Sequence, residues 1–301
     1  MRWKGRRVSS NVEDRRGGGA KAGGISIIGL IVAFVAWKFF GVDPQQTYQT
    51  TKQVTQGISG ATETRGLENP TPEQQESIEF VGTVLADTED TWNQVFQQQL
   101  NQQYVPPKLV LFNGIVNSGC GTAQAAMGPF YCPADQKVYI DTAFFKDMRT
   151  QMGISGEQNA TELSRNDQAG DFALAYVVAH EVGHHIQTIL GISSQVQQAR
   201  QQASEVQSNQ LSVRQELQAD CLAGVWAYHN HQRTQFLEQG DVQEAMDAAH
   251  KIGDDYLQKR ARGQVVPDSF THGSSAQRVH WFNTGLQSGQ IANCDTFNQN
   301  I

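Results

Sequence analysis

The sequence predicts an α+β fold, mainly helical with a small antiparallel or mixed sheet, preceded by one transmembrane helix. Three observations carry that prediction. Apolar residues recur at helical spacing over most of the chain after residue 71, two strand-like runs flank a turn at residues 133–136, and a near-continuous apolar run occupies residues 25–42. The 301 residues hold 23 Lys and Arg against 30 Asp and Glu, a formal charge of −7. An acidic balance argues against nucleic acid as a partner, because phosphate binding wants a basic face. A mean hydropathy of −0.47 excludes a protein of many spans.

The charge is unevenly placed. Residues 1–41 contain eight basic and two acidic side chains, a net +6, while the remainder holds 15 bases and 28 acids, a net −13. Residues 1–24 therefore read as a basic tail. Residues 25–42 would span roughly 27 Å as a helix, just enough for a bilayer core of roughly 30 Å. Positive charge on the amino side predicts a single-pass protein with a cytoplasmic N-terminus and a periplasmic, extracytoplasmic domain. A cleavable signal peptide is the competing reading, but no small-x-small cleavage site follows the run. The Arg6-Arg7 pair lies too far from the run for a twin-arginine signal. Residues 43–70 form a polar linker too poor in apolar side chains to order itself, and residues 71–301 are left to fold as one domain.

Within that domain each element has a local cause. Thr71 caps a helix with Pro72 in its first turn and Gln74 reaching back; Ile78, Val81, Leu85, Trp92, Val95 and Leu100 continue its apolar stripe. Lys108–Phe112 reads as a strand. Residues 128–132, a turn at 133–136 and Lys137–Asp141 read as a strand–turn–strand unit, with Pro129 confining the first strand to a sheet edge. Asp141 or Thr142 caps a short helix through Phe145 and Met148. Residues 171–190 are apolar almost all round, so this helix is buried, and Gly191 ends it. The Gln-rich stretch 195–210 reads as a solvated helix or a lid, and Ser212 with Gln215 as a capping box opening a helix through Trp226. Two more helices are expected near 241–260 and 274–288, the latter capped by Ser274 and Gln277.

The buried helix carries His180-Glu181-Val182-Gly183-His184. Histidines four apart share a helical face about 6 Å apart, so both imidazoles can grip one metal ion, and Glu181 sits beside that face to accept a proton from water. Three ionisable groups in an apolar helix would cost several kcal/mol without a metal or partners. A metzincin would continue with Gly at 187 and His at 190; Gln187 and Leu190 stand there instead. Glu216 is the favoured third ligand, with Asp220 one turn on to accept the second N–H of a ligand histidine. Glu205 is the rival, with Asn209 where an Asp would be needed.

His180-Glu181-x-x-His184 followed by Glu216-x-x-x-Asp220 resembles the thermolysin-type, gluzincin-like zinc peptidases. A wider set of strings resembles a narrower family, the bacterial neutral zinc metallopeptidases. The strings are Arg2-Trp-Lys-Gly-Arg-Arg7 with Asn11-Val-Glu-Asp-Arg-Arg-Gly17, Gly128-Pro-Phe-Tyr-Cys-Pro133, Val138-Tyr-Ile-Asp141, the histidine motif through His185, Glu216-Leu-Gln-Ala-Asp220 and Cys294-Asp-Thr-Phe297. This resemblance covers almost the whole chain. It implies a zincin-like metallopeptidase domain behind a single membrane span, one Zn²⁺ per chain, and a peptide or unfolded protein as substrate. By the same resemblance the edge strand at 128–132, with Gly128, Phe130 and Tyr131, pairs with extended substrate.

The expected mechanism is attack by zinc-activated water, with His180, His184 and Glu216 as ligands and Glu181 as general base and then acid. His272 and Arg278 resemble a His…Arg element of some membrane-linked relatives and are candidates to stabilise the oxyanion; Tyr228 and His229 are further possibilities. The remaining histidines (His185, His231, His250 and His280) read as surface or structural. Cys120, Cys132, Cys221 and Cys294 form no C-x-x-C pair, and an even count in an exported domain suggests disulfides. Of three connectivities, Cys120–Cys132 with Cys221–Cys294 is favoured. A non-proteolytic, zinc-stabilised envelope scaffold is the alternative reading, and a zinc hydrolase of non-peptide amides would use the same residues.

Overall fold

The computed structural model describes residues 1–18, 67, 69–124, 128–150 and 170–301. The expected span at 25–42 and nearly all of the expected linker lie outside them; among the described residues no helix is long and apolar enough to cross a membrane. The architecture is α+β and mainly helical, as the apolar spacing predicts.

Its sheet has the order β1-β2-β6-β5. Strands β1 (Val12–Asp14), β2 (Lys108–Phe112) and β6 (Lys137–Asp141) are parallel, and β5 (Phe130–Cys132) closes one edge antiparallel to β6. Between them a hairpin, β3 (Ile115–Ser118) and β4 (Gly121–Gln124), forms a separate two-stranded piece beyond the predicted strands. Asp141 settles the choice of cap for the short helix α2 (Ala143–Thr150): its carboxylate accepts from the Ala143 amide at 2.7 Å.

The helices are α1 (Pro72–Val95), α3 (Asp171–Ile189), α4 (Ile192–Gln202), α5 (Glu205–Thr234), α6 (Asp241–Lys251), α7 (Asp254–Arg262) and α8 (Ser275–Ser288). Thr71–Gln74 and Ser274–Gln277 form capping boxes as expected. Helix α5 starts eight residues before the expected place, because the box is made by Ser204 and Gln207; Ser212 lies inside the helix with its hydroxyl on the Ser208 carbonyl. Polar Ser-x-x-Gln strings recur here, at Ser194, Ser204 and Ser212, and only Ser204 meets an extended backbone. The helix expected over 241–260 is broken at Gly253, where a Cβ would strike Ser275.

Helix α3 runs through the centre, buried on nearly every side. Trp92, Tyr176, Phe172, Trp226, Phe236, Trp281 and Phe282 fill the surrounding core. Helices α5 and α8 cross with their backbones in contact. A Cβ on Gly224 would collide with the Phe282 carbonyl, and one on Gly285 with the Cys221 carbonyl. Both favoured disulfides are present: Cys120–Cys132 ties the β3–β4 turn to the edge strand, and Cys221–Cys294 ties the carboxyl tail to α5 beside that crossing.

Residues 1–18 are not a separate tail. Strand β1 extends the sheet by pairing Val12 with Leu109 and Asp14 with Leu111. Met1 and Trp3 are buried, and the Trp3 ring packs edge-on against Phe80 at 5.3 Å. The Met1 ammonium donates to Asp171 at 2.8 and 3.0 Å and to Asp241 at 3.2 Å, occupying the buried cluster that these two form with Glu244. The expectation of a tail over 1–24 therefore fails for residues 1–18, whose bases face carboxylates of the folded body and of their own segment.

Because neither backbone can retreat at the α5–α8 crossing, Gly285→Ala should cost about 3 kcal/mol of stability or more. Urea or thermal unfolding reads this directly, and an unchanged midpoint would show that the helices can separate without loss.

Candidate metal centre

The close approach of α3 and α5 builds the site. A Cβ on Gly183 would lie 3.0 Å from the Ala219 carbonyl and 3.1 Å from its Cα, so glycine and alanine at these two positions let the helices touch. His180 and His184, flanking Gly183, then meet Glu216 and Asp220, flanking Ala219. His180 Nε2 is 3.2 Å from Glu216 Oε2, His184 Nε2 is 3.4 Å from Oε1, and the three donor atoms lie within 4.8 Å of one another. The imidazole rings stand edge to face with centroids 4.8 Å apart.

Both imidazoles are held from behind. His180 Nδ1–H donates to Asp220 Oδ1 at 2.8 Å, and His184 Nδ1–H donates to Gln187 Oε1 at 2.9 Å. Gln187 is fixed in turn by donating to the Gln215 carbonyl and to Gln218. Each ring thereby keeps Nε2 for a metal. Two imidazoles and a carboxylate, convergent and oriented, match the donor set of an open zinc site with three protein ligands. Glu205, the rival ligand, begins α5 in the exposed stretch and does not join the cluster.

Asp220 is the most heavily bonded group of the site. Besides His180 it accepts from the Tyr176 hydroxyl at 2.5 Å and from Arg278 Nε at 2.8 Å and Nη2 at 2.9 Å. Burial raises its pKa, but Arg278 and His180 outweigh burial and hold it down at about 2. Burial opposes charge on His180 too, and Asp220 with Glu216 overcomes it, lifting the metal-free imidazole to about 10. Glu216 is held well below the usual carboxylate range against its burial, by His184 first. Glu181 goes the other way: burial raises its pKa although both histidines pull it down.

The outer residues fall in different places from those expected. Arg278 is buried against Asp220 and Tyr176, so its guanidinium is not presented to a substrate. His272 is half exposed, with Nδ1 3.2 Å from Asp254 Oδ1. Asp254 also accepts from the backbone amides of Thr271, His272 and Gly273, fixing the loop that carries the ring. The charges of His272 and Glu216 favour one another's ionised forms. His229 instead meets the Gly289 carbonyl and Tyr228 packs on the same glycine, on another part of α5.

Strand β5 forms the edge of the sheet and contacts α3. Tyr131 faces the helix, its hydroxyl donating to His185 Nδ1 at 3.1 Å, and His185 Nε2–H donates to the Val105 carbonyl at 2.7 Å. Phe130 faces the other way and stacks on Tyr139 with centroids 4.9 Å apart. Gly128 precedes the strand at a φ of +73°. Tyr176, Gln187 and Asp254 were absent from the sequence-based set. Tyr176 lies one turn before His180 and Gln187 three residues past His184, so helical spacing could have found both; Asp254 has no local signal.

Metal binding must expel the proton that His180 carries below pH about 10 in the metal-free protein. Zinc affinity should therefore fall as pH drops, and titration calorimetry in buffers of different ionisation enthalpy should show at least one proton released per ion at pH 7. Zero release would contradict this assignment. Asp220→Asn should weaken zinc binding by about 10- to 100-fold.

The family model described as "Putative neutral zinc metallopeptidase" matches residues 1–297. The uncharacterized protein YpfJ of Escherichia coli K12 is 46% identical over 312 aligned positions, covering 100% of both chains. The uncharacterized protein Rv2575 of Mycobacterium tuberculosis H37Rv is 44% identical over 203 positions, 64% of this chain and 63% of the relative. No solved structure matches.

Proposed function

The chain belongs to the neutral zinc metallopeptidase family, and from that premise we propose that it hydrolyses peptide bonds at His180, His184 and Glu216 with Glu181 as general base. The observation that carries this reading is a fully oriented three-donor cluster with an additional buried carboxylate, Glu181, beside it. A closed structural zinc site has four protein ligands and no use for such a group. Family membership supports zinc as the metal and peptides as the substrate class. One ion per chain follows from the single His/His/Glu cluster among the described residues, since the other acidic cluster holds the Met1 ammonium.

When bound, zinc supplies Lewis acidity and lowers the pKa of a water molecule towards roughly 7. Glu181 takes a proton from the attacking water, and its burial brings its own pKa upward, towards the range a base at neutral pH needs. The same carboxyl then returns the proton to the leaving amine. His272 donates from Nε2 to the oxygen on which charge develops, while Asp254 holds Nδ1 and keeps the ring positively biased. Arg278 acts through Asp220, fixing the ligand helix; its role is positioning. The edge strand β5, held against α3 by Tyr131 and His185, aligns an extended backbone beside the cluster.

Metal analysis combined with Glu181→Gln tests the proposal on a reduced, carboxymethylated protein as generic substrate. Both proteins should hold about one zinc, and cleavage should fall by about 10² to 10⁴ in the variant. Equal cleavage by both would sink the mechanism, and zinc with no cleavage by the wild type would favour the non-proteolytic scaffold. His272→Ala should lower kcat by about 10²- to 10³-fold with little change in KM; a change confined to KM would assign His272 to substrate binding alone.

A further inference from the structure

We infer that residues 1–18 and the folded body they pair with, residues 69–124, 128–150 and 170–301, lie on the same side of any membrane the protein meets. This placement is independent of any peptidase activity.

Backbone pairing comes first. The Leu109 amide donates to the Asn11 carbonyl at 2.9 Å, the Arg15 amide to the Leu111 carbonyl at 2.8 Å, and the Ser9 amide to the Gly82 carbonyl at 2.9 Å. Gly82 is glycine because Val8 fills the space a Cβ would need. These contacts join the segment to the sheet and to α1 at once, and a bilayer between the partners would leave all of them unmade.

Charge gives the second, independent argument. A basic N-terminal stretch ahead of an apolar run is ordinarily read as an orientation signal. Here the bases have specific carboxylate partners in the body. Lys4 meets Glu76 at 2.7 Å, Arg6 meets Asp87 at 2.6 Å, and Arg7 meets Glu89 at 2.9 Å and Asp90 at 2.7 Å. The pairing matters most for Glu89, whose side chain is 8% exposed. It is met by Arg7, by the Ser9 hydroxyl and by the Asn11 amide, three groups from the first eleven residues. Without them a carboxylate would be buried with no cation, which folded proteins avoid. Arg16 is itself buried and spans Asp14 and the Gln74 carbonyl of α1.

The two disulfides argue that this shared side is an oxidising one. The basic segment then travels with the folded body, and its charge serves folding.

Single cysteines at two exposed positions test the inference in cells expressing the full chain: Ser10→Cys in the segment and Gln299→Cys in the body. A membrane-impermeant maleimide is applied before and after lysis, and labelling before lysis is divided by labelling after it. The two ratios should agree within about twofold, whether both are high or both low. One high ratio with one low ratio overturns the inference. Should Ser10→Cys fail to react even after lysis, Lys4→Cys replaces it. As a second measurement, Arg7→Glu and Glu89→Arg should each lower Tm by several degrees, with partial recovery in the double variant. Unchanged Tm in both single variants would show that the segment is not seated and would equally overturn the inference.

Discussion

Asp220 is the interaction on which the rest of the molecule depends. A fully buried carboxylate is tolerable only when its charge is matched and its lone pairs are filled. Here the donors arrive from separate helices: His180 and Tyr176 from α3, and Arg278 from α8. Satisfying this one group therefore fixes the relative position of three helices. It also fixes the ring of His180, so the pairing of a charge in the core and the orientation of a candidate ligand are achieved by the same bonds. The glycine contacts at 183, 224 and 285 are the steric side of that arrangement, because long polar side chains reach one another here only if the backbones come close.

The site is graded in electrostatics from its interior outwards. Asp220 and Glu216 are held ionised, which suits a ligand and its support. Glu181 is shifted towards accepting a proton. Carboxyl groups of similar intrinsic acidity thus differ in proton affinity because of their neighbours: cations surround the first two, while the histidines near the third only partly offset its burial. His272 is half exposed, and Asp254 ties its loop through three backbone amides.

Much of this site was legible in the sequence because its chemistry lies on two continuous helices. Four-residue spacing alone puts His180 with His184 and Glu216 with Asp220, and a buried helix with such residues demands a partner. What spacing could not convey was direction. Arg278 shares a motif-like string with His272, yet one turns inward to a charge and the other stays at the surface, and only the packing of α8 against α5 decides between them. The start of α5 was misplaced because Ser204 and Ser212 offer equally good local boxes, and backbone geometry selects the first. The largest departure is the N-terminal segment. Its positive charge read as a topological signal, since the carboxylates that pair with Arg6 and Arg7 lie about 80 residues along the chain and carry no local mark. Strand β1 is three residues long and was invisible for the same reason: its hydrogen bonds are all long-range.

The proposed chemistry rests on an open zinc site with two histidines and one glutamate from the protein. X-ray absorption at the zinc K edge of the purified full chain tests it most directly. The account predicts two imidazole nitrogens with oxygen ligands at roughly 2.0–2.2 Å, and a spectrum that changes when a hydroxamate is added to fill the exchangeable position. A thiolate shell, a third imidazole, or a four-ligand shell indifferent to the hydroxamate would contradict it.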